Sequence, residues 1–168
     1  MRMALSFAVG GARGAFEETF ADEVTGVLDH AYGCECDWER APIASLGELT
    51  TAGWERMVGR AIRDLGSDRT TNLTALRDSG RGVFLPAHVQ AASFPLSAGE
   101  ALQCASLPGL RNELADLAEC WRLPLDDHGL RALIAEGQGD EEAESFALIT
   151  LAANEAARRD CPLWLIVR

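Results

Sequence analysis

The stretch "LWLIV", residues 163–167, places five apolar side chains in succession directly after Pro162. A run of that length reads as a strand, and the lack of any polar alternation marks a strand buried on both faces. A second apolar run, Met3 to Val9, is interrupted only by Ser6 and has the same character. Two such strands at opposite ends of a chain pair most economically inside one sheet. A third, Gly82 to Leu85, lies between them in sequence, and Pro86 marks either its end or an edge position.

Helical spacing accounts for most of the remainder. Phe16, Phe20, Val24, Val27, Leu28 and Ala31 recur on one face, with Glu17, Glu18, Asp22 and Glu23 opposite and Gly33 as the stop. Trp54, Met57, Val58, Ala61, Ile62 and Leu65 line a second helix, capped by Thr50 or Thr51 and ended by Gly66. Residues 71–78 fit either a short helix or the first arm of a hairpin turning at "DSGRG". Ser106 caps the most regular helix, with Pro108 in its first turn and Leu107, Leu110, Leu114, Leu117 and Trp121 on its stripe. A short helix capped by Asp126 or Asp127 follows. The last helix runs from about Asp140 to Arg159, acids first and arginines last, the order that the helix dipole favours. "CECDWERAPIASLGELT" and the stretch through Pro95 read as irregular connectors. The expected fold is α+β: a helix-rich single domain over residues 1–168, with a small mixed sheet formed by N-terminal, central and C-terminal strands.

Composition narrows the function. The chain has 168 residues, with 15 basic residues against 26 acidic ones and a formal charge of −11. All 15 basic residues are arginine, nearly all of them single and scattered among acids. Nucleic acid and anionic membranes both require a positive face, so neither is an expected partner. A protein with a basic surface is the natural electrostatic complement. Five cysteines, an odd number, suit reduced thiols in the cytoplasm better than a disulfide framework. The start "MRMALSFAVGGARGA" has the small residues of a signal peptide, but glycines break its apolar run. No run approaches the ~18 apolar residues that a membrane span needs.

The motif with the best chemical credentials is "SFAVGGARGAFEETF", residues 6–20, a strand, a glycine turn and a helix start. Gly10, Gly11 and Gly14 let main-chain N–H groups approach an anion, and Arg13 supplies a cation to clamp it. "GGARG" resembles the oxyanion loop of patatin-like lipases. The likeness is confined to the turn, because the G-x-S-x-G elbow and the later Asp-Gly of those enzymes are absent. The dinucleotide fingerprint fails at Val9, and the phosphate loop G-x-x-x-x-G-K-[ST] fails for want of a lysine. Glu17 and Glu18 occupy the following turn, where each unscreened acid repels a second anion by about 1–4 kcal/mol at ~4 Å. The turn is therefore expected to be structural, with anion binding as the alternative function.

"HAYGCECDW" brings His30, Cys34, Cys36 and Asp37 together, and thiolate with imidazole suits zinc. A structural zinc site takes four ligands, usually as two pairs, and no second pair is present. No cofactor is expected, and a zinc-stabilised module is the second alternative. His88, near a strand end, and the cluster Asp126, Asp127 and His128 are the candidates for acid–base work, but the aspartates are first of all helix caps. No catalytic residue is assigned. Trp54, Trp121 and Trp164 lie on apolar stripes or strands and are expected in the core. Trp38 sits in an irregular segment between Asp37 and Glu39, the setting of an anchor for protein contact. The leading expectation is an acidic protein-binding module, an inhibitor, immunity-type antagonist or adaptor. It would use Asp37, Trp38 and Glu39, with help from acidic residues 140–144. Nothing in the sequence sets an oligomeric state.

Overall fold

The computed structural model describes residues 3–33, 47–77, 81–137 and 139–167. Its centre is the strand β6, Leu163–Val167, flanked by β1, Ala4–Val9, and β3, Arg81–Leu85, both antiparallel to it. Burial alternates along β6 as the pleat requires. Leu163 and Leu165 enter one core, while Trp164 and Ile166 face the other. The sheet is completed by β2, Glu48–Thr50, outside β1, and by β5, Ala101–Ser106, and β4, Ala92–Pro95, beyond β3. The order is β2-β1-β6-β3-β5-β4, and β3 with β5 is the parallel pair. The expected α+β fold with N-terminal, central and C-terminal strands is the observed one.

The structure decides two readings that the sequence left open and adds three strands. β3 is an interior strand, so Pro86 marks its end and not an edge. The connector before Thr50 ends in β2, and the stretch around Pro95 holds β4 and β5. Pro95 does occupy an edge strand, where a missing N–H disrupts no further ladder. Of residues 71–78, Thr71–Ala75 form a short helix, α4 below, and not a hairpin arm.

The helices divide unequally between the two faces of the sheet. In chain order they are α1 (Ala12–Ala15), α2 (Glu18–Tyr32), α3 (Thr51–Leu65), α4 (Thr71–Ala75), α5 (Leu107–Trp121), α6 (Asp127–Glu136) and α7 (Glu141–Arg159). Helices α3, α5 and α7 build the larger core with α4 and α6. There Trp54, Met57, Leu110, Leu117, Phe146 and Ile149 meet Phe7, Phe84 and Leu163 from the sheet. Among the described residues the other face is covered by α1 and α2, through Ala21, Val24 and Leu28 over Val83, Leu102, Cys104 and Trp164. Caps follow the sequence signals: the side chains of Thr50, Ser106, Asp126 and Asp140 accept from Gly53, Gly109, Gly129 and Ala143 respectively. Gly33 ends α2 in the left-handed conformation, with φ 56°. Among the described residues no helix is long and apolar enough to cross a membrane.

Candidate functional site

The glycine turn follows β1 and is held from inside. Gly10, at φ 144°, donates its N–H to the Pro162 carbonyl at 3.1 Å. Its own carbonyl accepts the Trp164 indole N–H at 2.9 Å. Gly14 N–H donates to Gly11 O, and Phe16 N–H to Ala12 O, which closes the single turn of α1. Arg13 is ion-paired with Asp22 of α2 at 2.7 Å. Glu17 begins α2 through its backbone, and its side chain makes no capping hydrogen bond. Phe16 and Trp164 meet edge to face at 5.2 Å, so the turn is fastened to the smaller core.

Asp37, Trp38 and Glu39, with Cys34 and Cys36, lie outside the described residues. His30 is exposed on the last turn of α2, the helix that leads towards them. Among the described residues no group of three or more His, Cys, Asp or Glu is placed to hold a metal. Cys104 and Cys161 are buried, as small apolar residues would be, whereas Cys120 is exposed. Trp54 and Trp164 are fully buried. Trp121 is only half-buried, at the core margin, with the Arg60 guanidinium 4.4 Å above its ring and its N–H donated to Asp64. The acidic start of α7 is tied down in the same region, because Glu141 pairs with Arg56 and Glu142 with Arg60.

The described residues form a cleft at the end of the sheet where β3 and β5 stop. Ser106 organises its near wall. Its hydroxyl donates to Ala87 O at 2.9 Å and accepts from Gly109 N–H, clipping the loop after β3 to the start of α5. That clip sets His88 beside Pro108, Arg111 and Asn112. The far wall is α7, through Thr150 and Asn154. The Asn154 amide donates to Leu125 O and to Asp127 Oδ1, both at 3.1 Å, and so holds the approach to α6. The enclosed volume is about 480 Å³. A shallower extension shares Arg111, Leu125 and Asn154 and continues to Asp126, Asp127 and Arg158.

Charges around the cleft have defined settings. Arg158 bonds Asp127 at 2.8 Å and Glu155 at 2.7 Å. Those hydrogen bonds hold both carboxyls below the ordinary range, and the same bonds, Glu155's foremost, raise the guanidinium above its own. Glu113 stands behind the near wall on the buried stripe of α5. It accepts from Asn72 N–H, the Asn72 amide, Leu73 N–H and the Thr71 hydroxyl. Burial nonetheless pushes its carboxyl upward, outweighing the four donors. Asn72 in turn accepts from Ser106 N–H, and its amide would lie only 2.4 Å from a side chain at Gly109, so that glycine permits the contact.

Of the residues singled out from the sequence, the structure brings only His88 into the cleft. Asp126 and Asp127 stand in its extension, and His128 lies on the first turn of α6. Sequence reasoning missed Arg111, Asn112, Asn154 and Glu113. Only Glu113 left a signal, as an acid three residues after Leu110 and four before Leu117 on an apolar stripe. Comparison with protein-family models, with curated proteins and with solved structures gives no significant match.

Proposed function

We propose that the chain is an acidic protein-binding module whose partner presents a cationic surface, in the manner of an inhibitor, antagonist or adaptor. One observation supports this reading above others: the arginines of the described residues are largely committed to internal ion pairs. Arg13, Arg56, Arg60, Arg69, Arg81, Arg158 and Arg159 each hold a carboxylate of the same chain. The excess acids are left to face solvent, and Glu17 and Glu18 are exposed without a partner among the described residues. Such a surface steers a basic macromolecule and repels nucleic acid. Asp37, Trp38 and Glu39, shortly after α2, are the assigned contact residues. The acidic start of α7 contributes less, since Arg56 and Arg60 already neutralise it. An odd count of five cysteines fits a reducing, cytoplasmic setting.

A photo-crosslinker in place of Trp38 tests the assignment in cells that express the protein. The expected product is a conjugate with one basic protein, formed at low salt, suppressed at high salt and lost in Asp37→Arg/Glu39→Arg. A conjugate that forms equally at both salt levels, or that survives the charge reversal, overturns the reading.

A further inference from the structure

The cleft beside α5 stands apart from that surface in its charge. None of the residues lining it is acidic, in a chain where acids outnumber basic residues 26 to 15. Its one permanent charge is Arg111, and this arginine has no ion-pair partner among the described residues, unlike those that support the acidic surface. The groove over α3 makes a useful contrast. It is lined by Arg56, Arg63 and Arg77, but also by Glu55 and Glu142, so its charges answer one another. The anion-repelling field that the net charge predicts is set locally by the lining groups within a Debye length of ~8–10 Å. In the extension, Asp127 is already matched by Arg158, and Asp126 is committed to the cap of α6.

The rest of the lining carries no permanent charge. Pro108, Ala115 and Leu125 offer hydrocarbon, and Leu125 is 43% exposed, unusual for a large apolar side chain among the described residues. Asn112 and Asn154 offer amides, and His88 offers an imidazole. In the first turn of α5, Pro108 has no N–H and Gly109 gives its own to Ser106. The permanent cation Arg111 is the group best suited to an anion, and a lone guanidinium matches one carboxylate in a two-point fork. A volume of about 480 Å³ is within the usual range for small-molecule sites.

We infer that this cleft binds a small amphipathic organic acid, with its carboxylate on Arg111 and its apolar body against Ala115 and Leu125. A doubly charged phosphate is a poorer fit, because one permanent cation faces it and half the wall is hydrocarbon. This inference is independent of the protein-binding reading, since Arg111 lies on α5 and the proposed contact residues follow α2.

The test is an amide-resolved NMR titration of the full chain with benzoate, its neutral isostere benzamide, and inorganic phosphate. Benzoate should shift the Arg111, Asn112 and Asn154 signals saturably. Arg111→Gln should weaken it roughly tenfold or more, the worth of a charge-assisted hydrogen bond. Arg122→Gln removes the same charge from the far end of α5 and should leave binding unchanged. An unaltered melting temperature for both variants shows that they fold. Benzamide and phosphate should each bind at least about tenfold more weakly than benzoate. The inference is overturned by benzoate shifts that are unsaturable or lie elsewhere, by retained affinity in Arg111→Gln, by equal losses in both variants, or by equal binding of benzamide or phosphate.

Discussion

The two faces of the sheet are built from the same strands yet shielded very differently. On one side, α3, α5 and α7 interlock over Phe7, Phe84 and Leu163, so a side chain such as Phe146 is enclosed by helix and sheet together. On the other, α2 lies nearly alone, anchored by Val24 and Leu28 and by Glu23, which takes the Ser97 N–H and hydroxyl from the turn after β4. The difference teaches that full burial does not imply equal reinforcement. Phe146 and Leu28 both have no exposed surface, but among the described residues only the first lies in a core shared by several long helices. The smaller core can relax around a defect by shifting a single helix; the larger one has no such freedom.

The largest expected effect follows directly. Phe146→Ala should cost ~3–5 kcal/mol in urea unfolding, and Leu28→Ala ~2–3 kcal/mol, since the residual cavity is smaller where the site collapses. Hydrogen exchange sharpens the contrast. The amides of α7 should exchange only through global unfolding, and those of α2 through a cheaper local opening. Equal protection of the two helices would break the comparison.

A smaller effect is expected at Glu113, the buried carboxylate of the described residues. Glu113→Ala leaves the donors of Thr71, Asn72 and Leu73 without an acceptor and should cost ~2–4 kcal/mol. The pH dependence has a definite sign. Burial raises the folded-state value above the ordinary 4.5, so the folded protein holds this proton more tightly than the unfolded chain does. The contribution of Glu113 is therefore most favourable below 4.5 and declines as pH climbs through the folded value. Glu113→Gln cannot titrate, so its urea stability should lack that part of the decline from 4.5 upward. A stability curve parallel to that of the parent protein would show that the buried acid is not the source.

The smallest effect separates two buried tryptophans, one in each core. The Trp164 indole donates to Gly10 O, whereas the Trp54 indole N–H has no acceptor among the described residues. Trp164→Phe loses a hydrogen bond and strands a carbonyl, so it should cost ~1 kcal/mol more than Trp54→Phe. The reverse order in paired denaturation curves would show that packing, not the bond to Gly10, fastens the glycine turn.

Much of the frame was legible because its signals are local. Apolar runs marked β1 and β6, the capping side chains of Thr50 and Ser106 marked α3 and α5, and the order of acids before arginines marked α7. β2 escaped because it is three residues long and runs straight into the cap of α3. β4 and β5 escaped because "ASFP" and "ALQCAS" are short and mix small with polar residues, which leaves neither a clean alternation nor a continuous apolar run. The cleft was illegible for a different reason. His88, Arg111, Leu125 and Asn154 come from four separate stretches, and each alone reads as an ordinary surface residue. Only the clip of Ser106 onto Ala87 and the reach of Asn154 to Leu125 bring them together. That information lies in tertiary geometry and not in spacing.

The placement of β6 between β1 and β3 has a consequence for biosynthesis. Leu5 faces Val167, and Val9 faces Leu163, so the middle of the sheet joins strands that are far apart in the chain. A chain emerging from the ribosome carries β1, β3 and their apolar side chains through all the intervening helices before the strand that bridges them is made. Such distant pairings form slowly and leave sticky edges uncovered in the meantime. Completion of the sheet thus waits on β6, whichever of the other elements is already in place.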